Sequence, residues 1–307
     1  MTGFLGLDIA LRSLLAHQQA MEVVSHNIAN VNTPGYSRQE PVFTAEAASY
    51  RGASFNTTEV GRAGMGVRLS QIRRANTEFI SRQLRLEKHA YGKWAIIRDT
   101  LQQIEAIMPE PSEAGLSAVM DEFWAAWRDL SVDPQSAALR ANVYERGSSL
   151  ASTLNTYSQQ LVSARRSFNE LITETVQSVN DIAQGLADLN AQIVTVLAVG
   201  DQPNDLRDQR DLLLDKLSEL VDITVTEEEN GTTTVFLRGH HLVMWSEAGH
   251  LDTASSPEDP TLLSVVFKDS SALAQVEGGK LAGIVEARDS LIAGVLDDLD
   301  TIAEALI

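Results

Sequence analysis

No proline interrupts the chain from Gln135 to Gln202, and an apolar side chain returns there at almost every seventh position. The line Leu154, Leu161, Phe168, Thr175, Ile182, Leu189 and Val196 is apolar at six of its seven places. Its companions are Leu150, Tyr157, Ala164 and Leu171, then Val179, Leu186 and Ile193. The companion line changes side near Ser178, a register adjustment within one continuous helix. Some 60 residues of helix at 1.5 Å each span about 90 Å. That length commits the chain to an elongated rod. Asp133 as N-cap and Pro134 at the first helical position are the expected start.

Residues 4–31 read as a second heptad helix. Leu7, Leu14, Met21 and Ile28 form one line, and Phe4 and Leu11 begin a companion line that turns polar at Gln18 and Ser25. Phe4, Leu7, Leu11, Leu14, Met21 and Ile28 are therefore the expected assembly seam, aimed at a helix from another segment or subunit. The helix ends in Ala29-Asn30-Val31-Asn32-Thr33-Pro34-Gly35-Tyr36. Pro34 disfavours helix at Thr33, and Pro-Gly suits a type II turn in which Gly35 takes φ > 0. Asn30 and Asn32 can bond the backbone groups left open there.

The rest of the chain punctuates these helices. Residues 37–75 form an irregular, partly extended connector, with a short strand expected around Val67 and Leu69. Gly61, Gly64 and Gly66 stand in the wrong order and context for a phosphate loop. A helix follows over 77–108, with Trp94, Ile97, Leu101, Ile104 and Met108 as its apolar face. Next comes a short amphipathic helix whose Phe123, Trp124 and Trp127 read as core. Beyond Pro203, Leu206, Leu213, Leu217 and Leu220 mark another helix. The period then shortens to two, with a hairpin expected about Glu229-Asn230-Gly231 and strands at 242–244 and 263–267. A last helix carries Leu281, Ile284, Leu291, Val295, Ile302 and Leu306. The expected fold is mainly α with a small β-region: an elongated helical bundle or coiled-coil rod with an inserted strand-rich subdomain. Its parts are the axial helix and turn (1–36), the connector (37–75), the long-helix rod (76–221), the β-rich subdomain (222–277) and a helix returning to the rod (278–307).

Composition narrows the function. The 24 basic and 42 acidic residues give a net charge of −18. The first hundred residues carry 12 basic and 8 acidic groups, the remainder 12 and 34. That balance is wrong for a nucleic-acid footprint. With no cysteine in the chain, a disulfide scaffold, a thiol nucleophile and Cys-ligated metal sites are excluded. The six histidines show no metal-binding spacing, and the neighbours His240 and His241 would face opposite ways on a strand. No phosphate-loop, Rossmann or nucleophile-elbow motif occurs. No stretch is long and apolar enough to span a membrane as a helix. No catalytic, cofactor or metal residue is assigned, and an enzyme is not expected.

His26-Asn27-Ile28-Ala29-Asn30-Val31-Asn32-Thr33-Pro34-Gly35-Tyr36-Ser37-Arg38-Gln39 resembles the signature of the bacterial flagellar axial family, the rod, hook and hook-associated proteins. Within that signature Asn27, Ala29, Asn30, Asn32, Thr33, Pro34, Gly35 and Tyr36 carry the match. Gly64-Met65-Gly66-Val67 with Arg73-Arg74, the run Asp133 to Arg140, Pro203-Asn204-Asp205-Leu206-Arg207-Asp208-Gln209-Arg210-Asp211 and Gly278 to Gly283 resemble the hook-associated branch that joins hook to filament. The resemblance implies a structural protein of the extracellular flagellum, exported through the flagellar type III apparatus. It implies copies of itself, neighbouring hook subunits, a second junction protein and an export chaperone as partners. It also implies that residues 4–31 pair with a C-terminal helix in a coiled coil lining the central channel. The family continues through a further half that this sequence lacks. A hook or distal-rod protein is the alternative within the family; a non-axial coiled-coil adaptor is the alternative outside it.

Overall fold

The computed structural model describes residues 2–46, 66–113, 115–257 and 259–306. Residues 47–65, with Gly61 and Gly64, lie outside the described residues, as do the side chains of residues 2–5, including that of Phe4. The order is α1 (Thr2–Ala29), β1 (Gln39–Ala45), β2 (Val67–Arg74), α2 (Glu78–Ile107), α3 (Leu116–Val132), α4 (Ala137–Ala198), α5 (Asn204–Leu220), β3 (Ile223–Glu227), β4 (Thr233–Leu237), β5 (His240–Met244), β6 (Glu247–Ala248), β7 (Leu251–Ser255), β8 (Leu263–Phe267), α6 (Gly279–Glu286), a π turn (Ala287–Ile292) and α7 (Ala293–Leu306).

The spine is α4, a single helix of 62 residues and so about 93 Å long. Its heptad lines point inward: Leu150, Tyr157, Leu161, Ala164, Phe168, Thr175, Val179, Leu186, Leu189 and Ile193 are all buried. The start differs from expectation. Ser136, not Asp133, is the N-cap, its hydroxyl accepting from Leu139 N at 3.4 Å. Asp133 instead folds the turn before it, accepting from Gln135 N at 3.3 Å.

Around the spine α3 folds back on the first turns of α4, and α2, α5, α6 and α7 pack along the rest. The approach of α2 to α5 and α6 is set by Gly92. A Cβ there would lie 2.2 Å from the Glu219 carbonyl oxygen and 3.1 Å from Lys280 N. This packing turns α2 relative to the expected face: Ile97 and Thr100 are buried, Ile104 and Ile107 join the core, and Trp94 and Leu101 face solvent. Trp124 and Trp127 likewise lie half out, edge-on to Phe123 at 5.2 and 6.3 Å, rather than in the core. On α5, Leu214 and Leu217 are the buried leucines, while Leu206, Leu213 and Leu220 are only partly covered.

The strands form three small antiparallel sheets: β1-β2, β3-β4-β5-β6 and β7-β8. The β3–β4 hairpin pairs Val225 with Val235 across a turn in which Gly231 takes φ +84°. The connector thus holds an ordered two-stranded ribbon, with Gln39 opposite Arg74 and a bulge at Val42/Phe43. His240 and His241 do meet different partners, stacking on Phe267 and leaning on Phe236.

Asparagines fasten strands to the spine. An Asn side chain offers the N–H and C=O of a peptide group, so it can pair with a strand as another strand would. Asn169 donates to Thr261 O and accepts from Leu263 N (2.9 and 3.1 Å). Asn180 does the same with Leu251 O and N (2.9 and 2.8 Å). Asn190 donates to Thr233 O and Trp245 O and accepts from Thr233 N (2.8, 2.7 and 3.1 Å). Steps of 11 and then 10 residues, about 3.1 and 2.8 turns, keep the three within one broad face of α4. At the π turn, buried Arg288 reaches Leu263 O at 2.6 Å and Asn169 Oδ1 at 3.0 Å, closing one end of this row.

Candidate functional site

The first helix carries two heptad lines with opposite fates. Ile9, Ala16 and Val23 face the ribbon; Ala16 and Val23 are buried there, and Ile9 lies against Gly66. The His17 ring meets Phe43 at 5.3 Å, and Arg12 bridges Asp8 and Glu46. The other line faces water: Leu7 is 71%, Leu14 64%, Met21 66% and Ile28 69% exposed, with Leu11 beside them. Isolated exposed leucines are ordinary, but a heptad line of them is an unpartnered packing surface.

The turn after α1 is built by its own residues. Thr33 N donates to Asn30 O at 2.9 Å and Tyr36 N to Thr33 O at 3.2 Å, with Gly35 at φ +81° between them. Asn30 Nδ2 returns to His26 O at 3.1 Å, and Thr33 Oγ1 donates to Asn30 Oδ1. Asn27 repeats the device of the spine. It donates to Gln39 O and accepts from Gln39 N (2.9 and 2.8 Å), while the Tyr36 hydroxyl donates to its Oδ1 at 2.8 Å. The helix, the turn and the first residue of β1 are thereby locked into one unit.

That unit rests on α5. Asp205, Asp208, Asp211 and Asp215 recur every three or four residues and so share one face of the helix. Gln39 Nε2 donates to Asp205 at 3.0 Å and Ser37 N to Asp208 at 3.0 Å. Arg74 spans Asp208 and Asp211 at 2.8 and 2.9 Å, Arg85 spans Asp211 and Asp215 at 3.2 Å each, and Lys88 reaches Asp215 at 3.1 Å. Asn76 adds a bond to Asp211, and Asn204 donates to Ile72 O at 3.0 Å. Burial, followed by the charges of Asp205 and Asp208, pushes the Tyr36 phenol above its usual value, so it stays a donor at neutral pH. On the far side of α5, Arg210 is buried and anchored to Gly231 O and Glu227 at 2.7 and 3.0 Å. The Asn27–Gln39 signature and the Pro203–Asp211 block, distant in sequence, are thus two halves of one joint. The expected seam and the expected turn belong to the same unit, on opposite sides of which lie water and the acidic row. The row itself was not expected as a site; its spacing of three and four was the available signal.

Among the described residues no three His, Asp or Glu side chains converge as metal ligands would. No helix among them is long and apolar enough to cross a membrane.

Comparison with known proteins agrees with these features. Residues 101–307 match the family described as flagellar hook-associated protein FlgK helical domain, and residues 7–36 match that described as flagella basal body rod protein. The chain is similar to flagellar hook-associated protein 1 of Bacillus subtilis, 36% identical over 74% of this chain and 45% of the relative. It is similar to the protein of that name from Salmonella typhimurium, 31% identical over 87% and 47%. Its fold resembles the solved flagellar hook junction protein FlgK from Burkholderia pseudomallei, with a TM-score of 0.58 and 28% identity over 67% of this chain and 38% of that one. The chain spans about half the length of the curated relatives it matches.

Proposed function

The chain belongs to the FlgK family of flagellar hook-associated proteins, and from that membership we propose that it is a structural subunit of the hook–filament junction rather than an enzyme. The observation that carries this reading is the joint: the axial signature and the Pro203–Asp211 block clasp each other and leave the Leu7–Leu14–Met21–Ile28 line in water. Burying a leucine-sized side chain contributes about 1.5–3 kcal/mol. Such a line therefore favours a partner helix strongly, while the body keeps a core of its own.

In the assembled flagellum the seam of Leu7, Leu11, Leu14, Met21 and Ile28 packs against a complementary axial helix and against copies of the chain. The body meets hook subunits on one side and a second junction protein on the other. The protein acts outside the cell, having left the cytoplasm unfolded through the flagellar type III apparatus with an export chaperone. A chain without cysteine suits that route, because no disulfide can form in transit. The Pro203–Asp211 block and the match over 101–307 favour the junction over a hook or distal-rod role, since the 7–36 match alone fits any axial protein. Electron microscopy of a strain lacking the gene tests the proposal. Hooks without filaments, restored by the gene, support it; normal filaments overturn it, and loss of the hook itself points to the rod or hook role.

A further inference from the structure

The continuous hydrophobic core runs from Leu116 and Leu150 to Leu242, Leu281 and Ile284, and among the described residues none of its members or packing neighbours precedes Ile96. The first helix and the ribbon β1-β2 thus stand outside it. Polar contacts tie them to the body: Ser37, Gln39 and Arg74 on the acids of α5, and Asn204 on the Ile72 carbonyl. At the turn Gly35 lies against the Leu212 side chain, which is within 3.0–3.4 Å of where a Cβ would stand. Solvent-accessible clefts flank the joint on both sides. One, of ≈ 770 Å³, is bordered by Val23, His26, Gln39 and Asp205; the other, of ≈ 640 Å³, by Arg74, Asn76, Arg85 and Asp211.

We propose that this joint is a releasable latch: α1, its turn and the ribbon detach from α5 as one unit, with Arg74 as the key contact, while the body stays folded. The charge arrangement makes release feasible. An unpaired buried charge is the usual obstacle to breaking an ion pair. Here Asp208 gives up its Arg74 ion pair, while Asp211 gives up one of two and Asp205 and Asn204 give up hydrogen bonds to the departing unit. Asp211 keeps Arg85 and Asp215 keeps Arg85 and Lys88, all on α2 and α5. Asp208 and Arg74, nearly buried when latched, are both handed to water. Inside the departing unit, Asn27 with Gln39 and the apolar Ala16–Val23 contact persist, so it leaves as a unit rather than unravelling. The latch would set the angle at which the outer line of α1 is presented, and it holds or fails whatever α1 pairs with.

Hydrogen exchange of the whole chain, read by mass spectrometry, tests this. Raising salt from about 0.05 M to about 1 M shrinks the screening length to roughly 3 Å, and the amides of β1, β2 and the Ser37–Gln39 segment are expected to exchange about tenfold faster together. The amides of α4, α5 and β4 are expected to hold. Arg74→Ala at low salt is expected to reproduce the pattern, and Arg74→Lys to restore most of the protection. Two results overturn the latch. In one, α5 and α4 lose protection in step with the ribbon, which makes the joint integral to the body. In the other, neither salt nor Arg74→Ala changes the ribbon, which makes the charges idle.

Discussion

Asn190→Ala removes the most demanding of the asparagine anchors. The side chain is 1% exposed and serves three backbone groups, the carbonyls of Thr233 and Trp245 and the N–H of Thr233. A hydrogen bond contributes about 1 kcal/mol net, but a buried group left bare costs about 1–3 kcal/mol. Alanine leaves three such groups facing a gap on the core side of α4. The expected loss is about 3–5 kcal/mol, against a total of about 5–15 kcal/mol for an ordinary domain. Asn190→Asp is expected to lose at least as much, because a carboxylate has no N–H to offer the two carbonyls and adds a buried charge. Asn155, exposed on the same helix, supplies the control, and its alanine variant is expected to stay within about 0.5 kcal/mol. Equilibrium urea unfolding followed by helical circular dichroism gives the differences. If Asn190→Ala falls within about 1 kcal/mol of the parent, or matches Asn155→Ala, the anchors do not hold the strands to the spine and the reasoning is wrong.

Two further substitutions probe the packing and the electrostatics. Gly92→Ala adds about 1 kcal/mol of helix propensity, yet its Cβ would press on the Glu219 carbonyl at 2.2 Å, a backbone atom that no rotamer change moves away; thermal unfolding should report a net loss of about 1–3 kcal/mol. Asp222 has its carboxyl raised above the usual range, chiefly by burial. Its charged form therefore costs the native state stability at neutral pH, and that cost is relieved as pH falls through the raised value toward the unfolded one of about 3.9. Asp222→Asn should be at least as stable as the parent at pH 7, and the gap should close on acidification; a gap that widens instead would refute the assignment.

The spine was legible because burial on a long helix repeats, and a line such as Leu154 to Val196 has one explanation over so many turns. The β3–β4 hairpin was legible because its alternation meets at Asn230-Gly231. The ribbon was not. Pro41 and the charged run from Arg68 to Arg74 mimic a loop, and pairing across a long separation leaves no local trace. On α2, a sum of heptads placed Trp94 inside, whereas the closest approach of the neighbouring helices is decided by the side chain that Gly92 lacks. A single asparagine on a long helix looks like any solvated residue; only the spacing of 169, 180 and 190 singles out the anchors. The same holds at the joint. Asp205 to Asp215 read as an acidic surface until Arg74 and Arg85, more than a hundred residues earlier, are brought against them. The outer heptad line of α1 was readable as an apolar stripe, but that Ile9, Ala16 and Val23 form a second, covered line was not drawn from the same heptads.

In the proposed function α1 offers an assembly surface to a body whose hydrophobic core does not include it. Leu14→Asp and Met21→Asp, made in the full chain, place a charge on residues that are 64% and 66% exposed in the isolated subunit. Thermal unfolding of the purified variants and filament formation in a strain whose own copy is deleted are the paired measurement. Unfolding within about 0.5 kcal/mol of the parent is expected together with hooks that fail to carry filaments. Normal filaments from either variant, or a body that unfolds with the seam, would contradict it.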